Sequence, residues 1–578
     1  MRRSTVTGVM GMTEQLIIAL AVLFVAAGLL SLVANQFGLS PIPFYILAGL
    51  LVGRFEFVTP GEVLTLAQWG IAFLVFVFGI RLDFSNVQSV LRDAEVAASI
   101  QLLTVGPVAF AIGYAFGDLF GFEEPLRNAL YFSAAVVLSS SLVGGQVLRR
   151  EIQDNLVHGR LASSIHFFDD LVAIAVLLVI TADAFTADAI TSQLGYGVLF
   201  LAAGLLFYRH GFPILVRLAD GDGELILVGS ISILIAFLAA AEYVGLSIVV
   251  GAFAAGIAIR EDGTNALEVR NGIDSIADFF GAIFFVTIGA LVSLPSPEVA
   301  IMAAVLAGLV FILNPLVHTL AFVYEGYDAR TAFLASSSLN QVSEFSLIIA
   351  IQALLLGTIA DALFEAIILA AVVTMALTPA ARRWKDRVFQ VVVSRLFGGQ
   401  RSRKVDERSE VATELEDHVI VLGYGRQGRR LVERLESLDR PYVVIENDPI
   451  LWDDLRVNCR NYVLGDAMSA YSWEKAGIDR ASLVVSTVDQ QAVSGTILAL
   501  DTDADLLLRS ATAEQAEALL DAGATYVTVP NVVAGKELVE IVEALSDGGT
   551  SVSALKREHL ETLDDLERDG FAARYSRY

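Results

Sequence analysis

The chain has 578 residues, of which 55% are hydrophobic and 18% charged, with a formal net charge of −25. A mean hydropathy of +0.64 excludes an ordinary soluble, a disordered or a collagen-like chain, and the length asks for more than one domain. The acidic balance argues against nucleic-acid binding, and a single cysteine, Cys459, excludes an internal disulfide framework and a cysteine-based metal site. Both parts of the chain are acidic: residues 1–393 carry a net −13 and residues 394–578 a net −12. The basic residues are 34 arginines and only five lysines, Lys385, Lys404, Lys475, Lys536 and Lys556. This bias resembles that of halophilic archaea; a GC-rich genome is the other source of it, and in either case it bears on solubility rather than fold.

From the N-terminus, residues 1–12 are too polar and short for a cleavable signal, and Met10 or Met12 is a candidate start. Long apolar runs then follow to residue 393. At ~20 residues per crossing they predict about thirteen spans: 13–35, 42–58, 66–81, 94–116, 128–148, 158–181, 195–217, 224–242, 245–260, 274–294, 298–322, 330–356 and 361–381. An odd number puts the termini on opposite sides. One set of loops holds Arg81, Arg92, Arg149, Arg150, Arg160, Arg209, Arg217, Arg260, Arg270 and Arg330 and continues into Arg382, Arg383, Lys385 and Arg387. The other holds only Arg54 and Arg127, with Arg2 and Arg3 at the terminus. The positive-inside rule therefore places the C-terminal part in the cytoplasm and the N-terminus outside, in a multi-pass plasma-membrane protein.

Within the spans, Leu138-Ser139-Ser140-Ser141-Leu142 precedes Gly144-Gly145, and Ala335-Ser336-Ser337-Ser338-Leu339-Asn340-Gln341 precedes Glu344. One such segment in each half suits inverted repeats with helices broken at mid-membrane, where small hydroxyl residues satisfy freed backbone groups. Ordinary small-residue helix packing accounts for the same pattern. Between them lie Asp169 and Asp170, flanked by helical Leu161–Phe168 and apolar Val172–Ile180. Ionisable residues inside a span are costly and functional by default, and neighbours on a helix point about 100° apart. Both carboxylates are expected to face protein or a water-filled cavity, where their oxygens take up protons or ligate a hard monovalent cation. That is the minimum machinery for exchange; a solvent-capped pair at a helix end is the alternative. His166 lies one turn before them, either tuning the pH response or packing as a hydrogen-bonded side chain. Glu344 either joins the ion path or binds a broken-helix backbone, and Asp278 is read as interfacial.

Residues 394–416 read as a polar linker. From residue 417 the texture changes to short Val/Ile strands alternating with helices, an α/β pattern with a parallel sheet over 417–547, followed by a charged tail over 548–578. His418–Leu422 is a strand. It runs into Gly423-Tyr-Gly425-Arg426-Gln427-Gly428 and a helix, and the next strand ends at Glu446 with Asp448 beyond. This context turns a common glycine pattern into a dinucleotide fingerprint: the glycines admit a pyrophosphate, the helix N-terminus attracts it, and Glu446 is placed for a ribose hydroxyl. A turn serving only helix–sheet packing is the alternative. Gly465-Asp466-Ala467 follows the third strand and Ser486-Thr487 ends the fourth.

Over about 417–531 the chain resembles the N-terminal domain of RCK/KTN modules, the nucleotide-binding regulators of potassium channels and transporters. That implies a regulatory NAD(H) or adenine nucleotide (AMP, ADP or ATP). The membrane part resembles the cation:proton antiporter-2 family, which includes the Kef-type potassium efflux systems. The resemblance rests on Leu74–Asp83 with Gly79, Ser139–Ser141, Gly159 then Asp169-Asp170, Gly245-Leu-Ser247 to Gly251 and Gly256, Phe284–Gly289, and Gln341-Val-Ser-Glu344-Phe. It implies two crossed, interrupted helices in a core domain that moves against a dimerisation domain, and a homodimer. It makes Asp170 the transport carboxylate and Asp169 its variable neighbour. Ser139, Ser140, Ser141, Ser338, Asn340 and Gln341 fall on the crossing helices. Electrogenic relatives carry a lysine where this chain has Phe311-Ile-Leu-Asn314-Pro315; Asn314 can hydrogen-bond a carboxylate but cannot neutralise it.

The reading is a K⁺ or Na⁺/proton antiporter, not an enzyme, working by alternating access and modulated by nucleotide. The alternatives are an RCK-regulated potassium channel, whose filter would have to come from the stretch around Gly195-Tyr-Gly197, and a membrane NAD-dependent oxidoreductase.

Overall fold

The computed structural model describes residues 21–22, 24–37, 39–53, 60–81, 91–153, 156–180, 186–220, 222–259, 266–293, 295–389, 391, 402–547, 551–557 and 559–560. Met10, Met12, Arg2, Arg3, Arg54, Asp83, Arg260, residues 394–401 of the expected linker and the tail beyond residue 560 lie outside them. The chain divides into two compact units, Met1–Lys404 and Val405–Tyr578.

In the first unit each expected span contains helix. The α-helices longer than five residues are α1 (Phe24–Gln36), α2 (Ile42–Gly53), α3 (Pro60–Ile80), α4 (Leu91–Phe120), α5 (Pro125–Val137), α6 (Ser141–Val147), α7 (Val157–Ile180), α8 (Ala187–Leu206), α9 (Phe212–Leu218), α10 (Gly223–Tyr243), α11 (Ile248–Ile257), α12 (Ala266–Ala290), α13 (Pro297–Gly308), α14 (Asn314–Glu325), α15 (Ala329–Ser336), α16 (Glu344–Leu355) and α17 (Asp361–Val388). Among the described residues, seven continuous helical segments are long and apolar enough to cross a membrane. Two spans are interrupted, as the serine-rich segments predict. α5 stops at Val137, Leu138 is extended, and Ser140 caps α6 by accepting the Val143 N–H. α15 stops at Ser336, and Ser343 caps α16 by accepting the Phe345 N–H. The two breaks meet in an antiparallel bridge between Ser139 and Val342. A π-helical turn, Leu309–Leu313, joins α13 to α14 just before Pro315, which supplies no N–H.

Glycines set the helix spacing around this crossing. A Cβ on Gly256 of α11 would lie 2.1 Å from the Phe76 carbonyl of α3, and one on Gly289 of α12 would lie 2.0 Å from the Ile46 carbonyl of α2. The backbones touch there because nothing stands between them.

The second unit is a six-stranded parallel sheet in the order β3-β2-β1-β4-β5-β6. The strands are β1 (His418–Leu422), β2 (Tyr442–Glu446), β3 (Tyr462–Leu464), β4 (Ala481–Ser486), β5 (Asp505–Arg509) and β6 (Tyr526–Thr528), with α18 (Arg426–Ser437) leaving β1. The central strands have apolar interiors because side chains on both faces are buried, and the order reverses direction at β1, the switch point where α/β sheets bind ligands. The expected linker is corrected at its end. Val405 is buried in this unit's core, and Glu410 exchanges both backbone hydrogen bonds with Tyr462 at the sheet edge.

Candidate functional site

In the membrane unit the site grows out of the crossing. Breaking a helix frees carbonyls at one end and N–H groups at the other, and in an apolar interior each needs a partner. At the end of α5 the Asn314 amide donates to the Val136 carbonyl (2.6 Å) and the Gln101 amide to the Val137 carbonyl (2.8 Å). At the end of α15 the Ser338 hydroxyl donates to the Ala335 carbonyl, and the Gln341 amide donates to the carbonyls of Ser338 (2.9 Å) and Ser140 (3.3 Å). Asn340 accepts from the Thr378 hydroxyl. Thus Ser338, Asn340 and Gln341 serve the crossing backbone or a neighbouring threonine. Asn314, which can hydrogen-bond a carboxylate, here spends its amide on a helix end.

The acidic residues divide the work. Asp169 on α7 accepts the Ser139 N–H (2.9 Å) and a short bond from the Ser139 hydroxyl, so it is tied to the crossing. The same hydroxyl lies 3.3 Å from Nδ1 of His166. With the hydroxyl proton directed at Asp169, that nitrogen is the donor, and Nε2 of His166 has no protein partner. Glu344, the first residue of α16, accepts the Ser141 hydroxyl (2.7 Å) and the Leu142 N–H (3.0 Å) at the start of α6. One carboxylate therefore serves the N-termini of both half-helices, where the dipoles favour negative charge. Asp170 is buried, the charged groups acting on it are Glu344 and Asp169, and the Ser141 hydroxyl is beside it. Oδ1 of Asp170 and Oε2 of Glu344 are buried acceptors without a protein donor. Two buried carboxylate oxygens lacking donors are an arrangement that a proton or a small cation completes.

Beside this site is a cavity of about 200 Å³ whose wall on α6 is Leu142 and Gln146; across it stand Tyr45, Arg81 and Asp278. Arg81 pairs with Asp274 at 2.7 Å, one turn before Asp278 on α12. Gly195-Tyr-Gly197 lies inside α8, so its carbonyls are not laid out as a filter.

In the second unit the glycine turn forms as its spacing predicts. Gly423 has φ +89°, Gly425 starts α18 without a side-chain cap, and a Cβ on Gly428 would lie 1.9 Å from the Gly423 carbonyl. The first-turn N–H groups of α18 are open to an anion, which is the fit a nucleotide phosphate requires. The cavity there, about 420 Å³, is lined by Gly425, Arg426, Gln427, Arg430, Thr487 and Arg509. Glu446 ends β2 beside this turn. Its oxygens accept the N–H groups of Tyr424 (2.6 Å), Asn447 (2.7 Å) and Asp448 (2.9 Å), so it braces the turn. Burial nevertheless holds its carboxyl above the ordinary glutamate range, outweighing those bonds. Asp448 caps the turn after β2 by accepting the Ile450 N–H, Asp466 accepts the Met468 N–H, and the Ala467 carbonyl accepts from Trp473. Cys459 is buried and its thiol is pushed up to about 11, chiefly by burial. Sequence reading missed Arg430, Thr487 and Arg509 as cavity residues. The first lies one helical turn beyond Arg426, a visible signal, while Arg509 arrives from β5 through tertiary folding alone.

A model of the transmembrane sodium/hydrogen exchanger family matches residues 19–383, and a TrkA-N domain model matches residues 419–530. The chain is 26% identical over 548 residues to the putative cation/proton antiporter YbaL of Escherichia coli (strain K12), covering 90% of this chain and 96% of that protein. It is 25% identical over 524 residues to the putative K(+) efflux antiporter KefB of Alkalimonas amylolytica, covering 86% and 77%. Among solved structures, the sodium proton antiporter MjNhaP1 from Methanocaldococcus jannaschii at pH 8 superposes with a TM-score of 0.50 at 15% identity, over 67% of this chain and 100% of that one, and shows the shared fold. With the exchanger model matching more than half its length, the chain belongs to the transmembrane sodium/hydrogen exchanger family, a family of transporters and not of enzymes, and carries a TrkA-N domain behind its membrane part.

Proposed function

We propose that the protein exchanges a monovalent cation, K⁺ or Na⁺, for protons by alternating access at Asp170, and that a nucleotide on the TrkA-N domain modulates the exchange. The observation that carries this reading is the unpartnered Asp170 oxygen, buried beside Glu344 where two interrupted helices present their N-termini. Cation and proton compete for that oxygen, so one is released as the other binds. Asp169, tied to Ser139, holds the crossing rather than sharing the cation. The cavity between α6 and the α3–α12 pair, with Asp278 on its wall, gives the cation access. K⁺ is favoured over Na⁺ by the relatives named as K(+) efflux antiporters and by the TrkA-N domain. The arginine distribution supports an external N-terminus and a cytoplasmic TrkA-N domain in the plasma membrane, and the family resemblance supports a homodimer. The acid-rich, lysine-poor composition supports a halophilic archaeal source.

Proteoliposomes with an imposed pH gradient test the central claim. Cation-dependent dissipation by K⁺ or Na⁺ is expected, and Asp170→Asn is expected to abolish it. Exchange that survives in Asp170→Asn at the wild-type rate would remove Asp170 from the mechanism.

A further inference from the structure

The cavity at the start of α18 collects positive charge from two separate elements. Arg426 and Arg430 come from the first turns of α18, and Arg509 is the last residue of β5. Its described lining holds no carboxylate, although residues 394–578 carry a net charge of −12. Arg426 and Arg430 have no ion-pair partner among the described residues. Their neighbour Arg429 makes the contrast: it pairs with Asp454 and lies over the Tyr424 ring, 4.9 Å from its centre. Arg509 is held in place. It donates to Gln427 (2.9 Å) and to the Thr487 carbonyl (3.2 Å), and its buried Nε has no protein acceptor. Three guanidinium groups around a helix N-terminus make a strong site for phosphate oxygens.

Position then narrows the class of ligand. In this sheet order the adenosine side of a nucleotide lies toward β2, and the phosphates lie over the turn after β1. The second nucleoside of a dinucleotide would extend past the turn toward β4 and β5. That side is where Arg509 projects, beside Thr487. The nicotinamide ring of NAD⁺ carries a positive charge that three guanidinium groups repel, and the reduced ring offers them one neutral carboxamide oxygen in place of anionic ones. A chain of phosphates suits it. On the other side, the Glu446 oxygens already hold three backbone N–H groups, which moves the weight of recognition from the ribose to the phosphates.

We propose that this cavity selects nucleoside di- and triphosphates over NAD(H) and AMP, with Arg509 reading the terminal phosphate. The inference rests on the reading of this domain as a nucleotide site and adds the ligand class to it.

The test is calorimetric titration of the purified full-length protein with ATP, ADP, AMP, NAD⁺ and NADH. ATP and ADP are expected to bind roughly tenfold or more tightly than the other three, the size of one charge-assisted hydrogen bond. Arg509→Gln is expected to lower ATP affinity about tenfold and leave AMP affinity unchanged, with Arg509→Lys in between. NAD⁺ or NADH binding as tightly as ATP, or Arg509→Gln weakening AMP and ATP equally, overturns the proposal. The wild-type ranking stands by itself if Arg509→Gln fails to fold. The two readings fail differently: binding of none of the five removes the nucleotide site altogether, whereas a preference for NAD(H) removes only the phosphate-counting role.

Discussion

Asp169 and Asp170 are adjacent on α7, and Asp169 is the one that binds backbone at the crossing. Asp169 receives both the N–H and the hydroxyl of Ser139, the residue that pairs with Val342 between the two broken helices. Removing its carboxylate strands a buried N–H, so Asp169→Ala is expected to destabilise the protein by about 1–3 kcal/mol, read by thermal unfolding in detergent. Asp169→Asn keeps an acceptor for that N–H and is expected to lose less. Equal stability of Asp169→Ala and wild type would take Asp169 out of the crossing. Gly144 tests the same neighbourhood sterically: a Cβ there would lie 2.3 Å from Nε2 of His166 and 2.9 Å from the Gln341 amide nitrogen. Gly144→Ala is expected to slow exchange several-fold in proteoliposomes by displacing both side chains. In the TrkA-N domain, His418 is buried, its Nε2 lies 2.8 Å from the Ala476 carbonyl, and burial holds its pKa below the ordinary value. The unfolded chain then takes the proton first. Stability from His418 is full above about pH 6.5 and falls as the pH drops below it. His418→Gln is expected to flatten that part of the unfolding-temperature profile, and a profile identical to wild type would show that His418 contributes nothing to it.

At the scale of elements, the membrane unit combines helices whose backbones touch with helices that stop halfway. The close approaches are a packing device, and they can be challenged one at a time. Gly256→Ala would place a Cβ 2.1 Å from the Phe76 carbonyl, while Gly308 on α13 has helical dihedrals and nothing within 4 Å of its Cβ position. Gly256→Ala is therefore expected to cost about 1–3 kcal/mol or more, and Gly308→Ala to be neutral or slightly stabilising. The same thermal melts decide it, and matched losses in both variants would dismiss the contact. These elements also mark how far the sequence could be read. Apolar run length placed the spans, because membrane thickness dictates it, and strand–glycine–helix order placed the nucleotide turn. The helix breaks were legible from Ser139–Ser141 and Ser336–Gln341, whose hydroxyls and amides replace missing helix bonds. What escaped is the set of partners supplied from distant elements. Asn314 and Gln101 cap α5 from α14 and α4, Arg509 enters the nucleotide cavity from β5, and Val405 joins the core of the second unit. None of these contacts leaves a periodic trace in the chain.

For the whole molecule, a net charge of −25 means self-repulsion that salt relieves, within a screening length of about 10 Å at 0.1 M. The unfolding temperature is expected to rise between 0.1 and about 2 M KCl, and a flat or falling response would contradict the high-salt origin. Charge of this kind spreads over the surface, whereas regulation asks for a specific link between two sites, and thermodynamics constrains that link. If nucleotide binding changes the protein's affinity for the transported cation by some factor, the cation must change nucleotide affinity by the same factor. Nucleotide titrations of the full chain are therefore expected to differ between K⁺ or Na⁺ and choline, typically by about 5–150-fold when coupling is strong. Asp170→Asn, which removes the carboxylate proposed to hold the cation, is expected to abolish the difference while leaving the nucleotide's own binding intact. A cation effect that persists in Asp170→Asn would mean that the ion acts on the TrkA-N domain itself. No cation effect in wild type would mean that the nucleotide does not bias cation binding, so any influence on transport would have to fall on the rate of the alternating step.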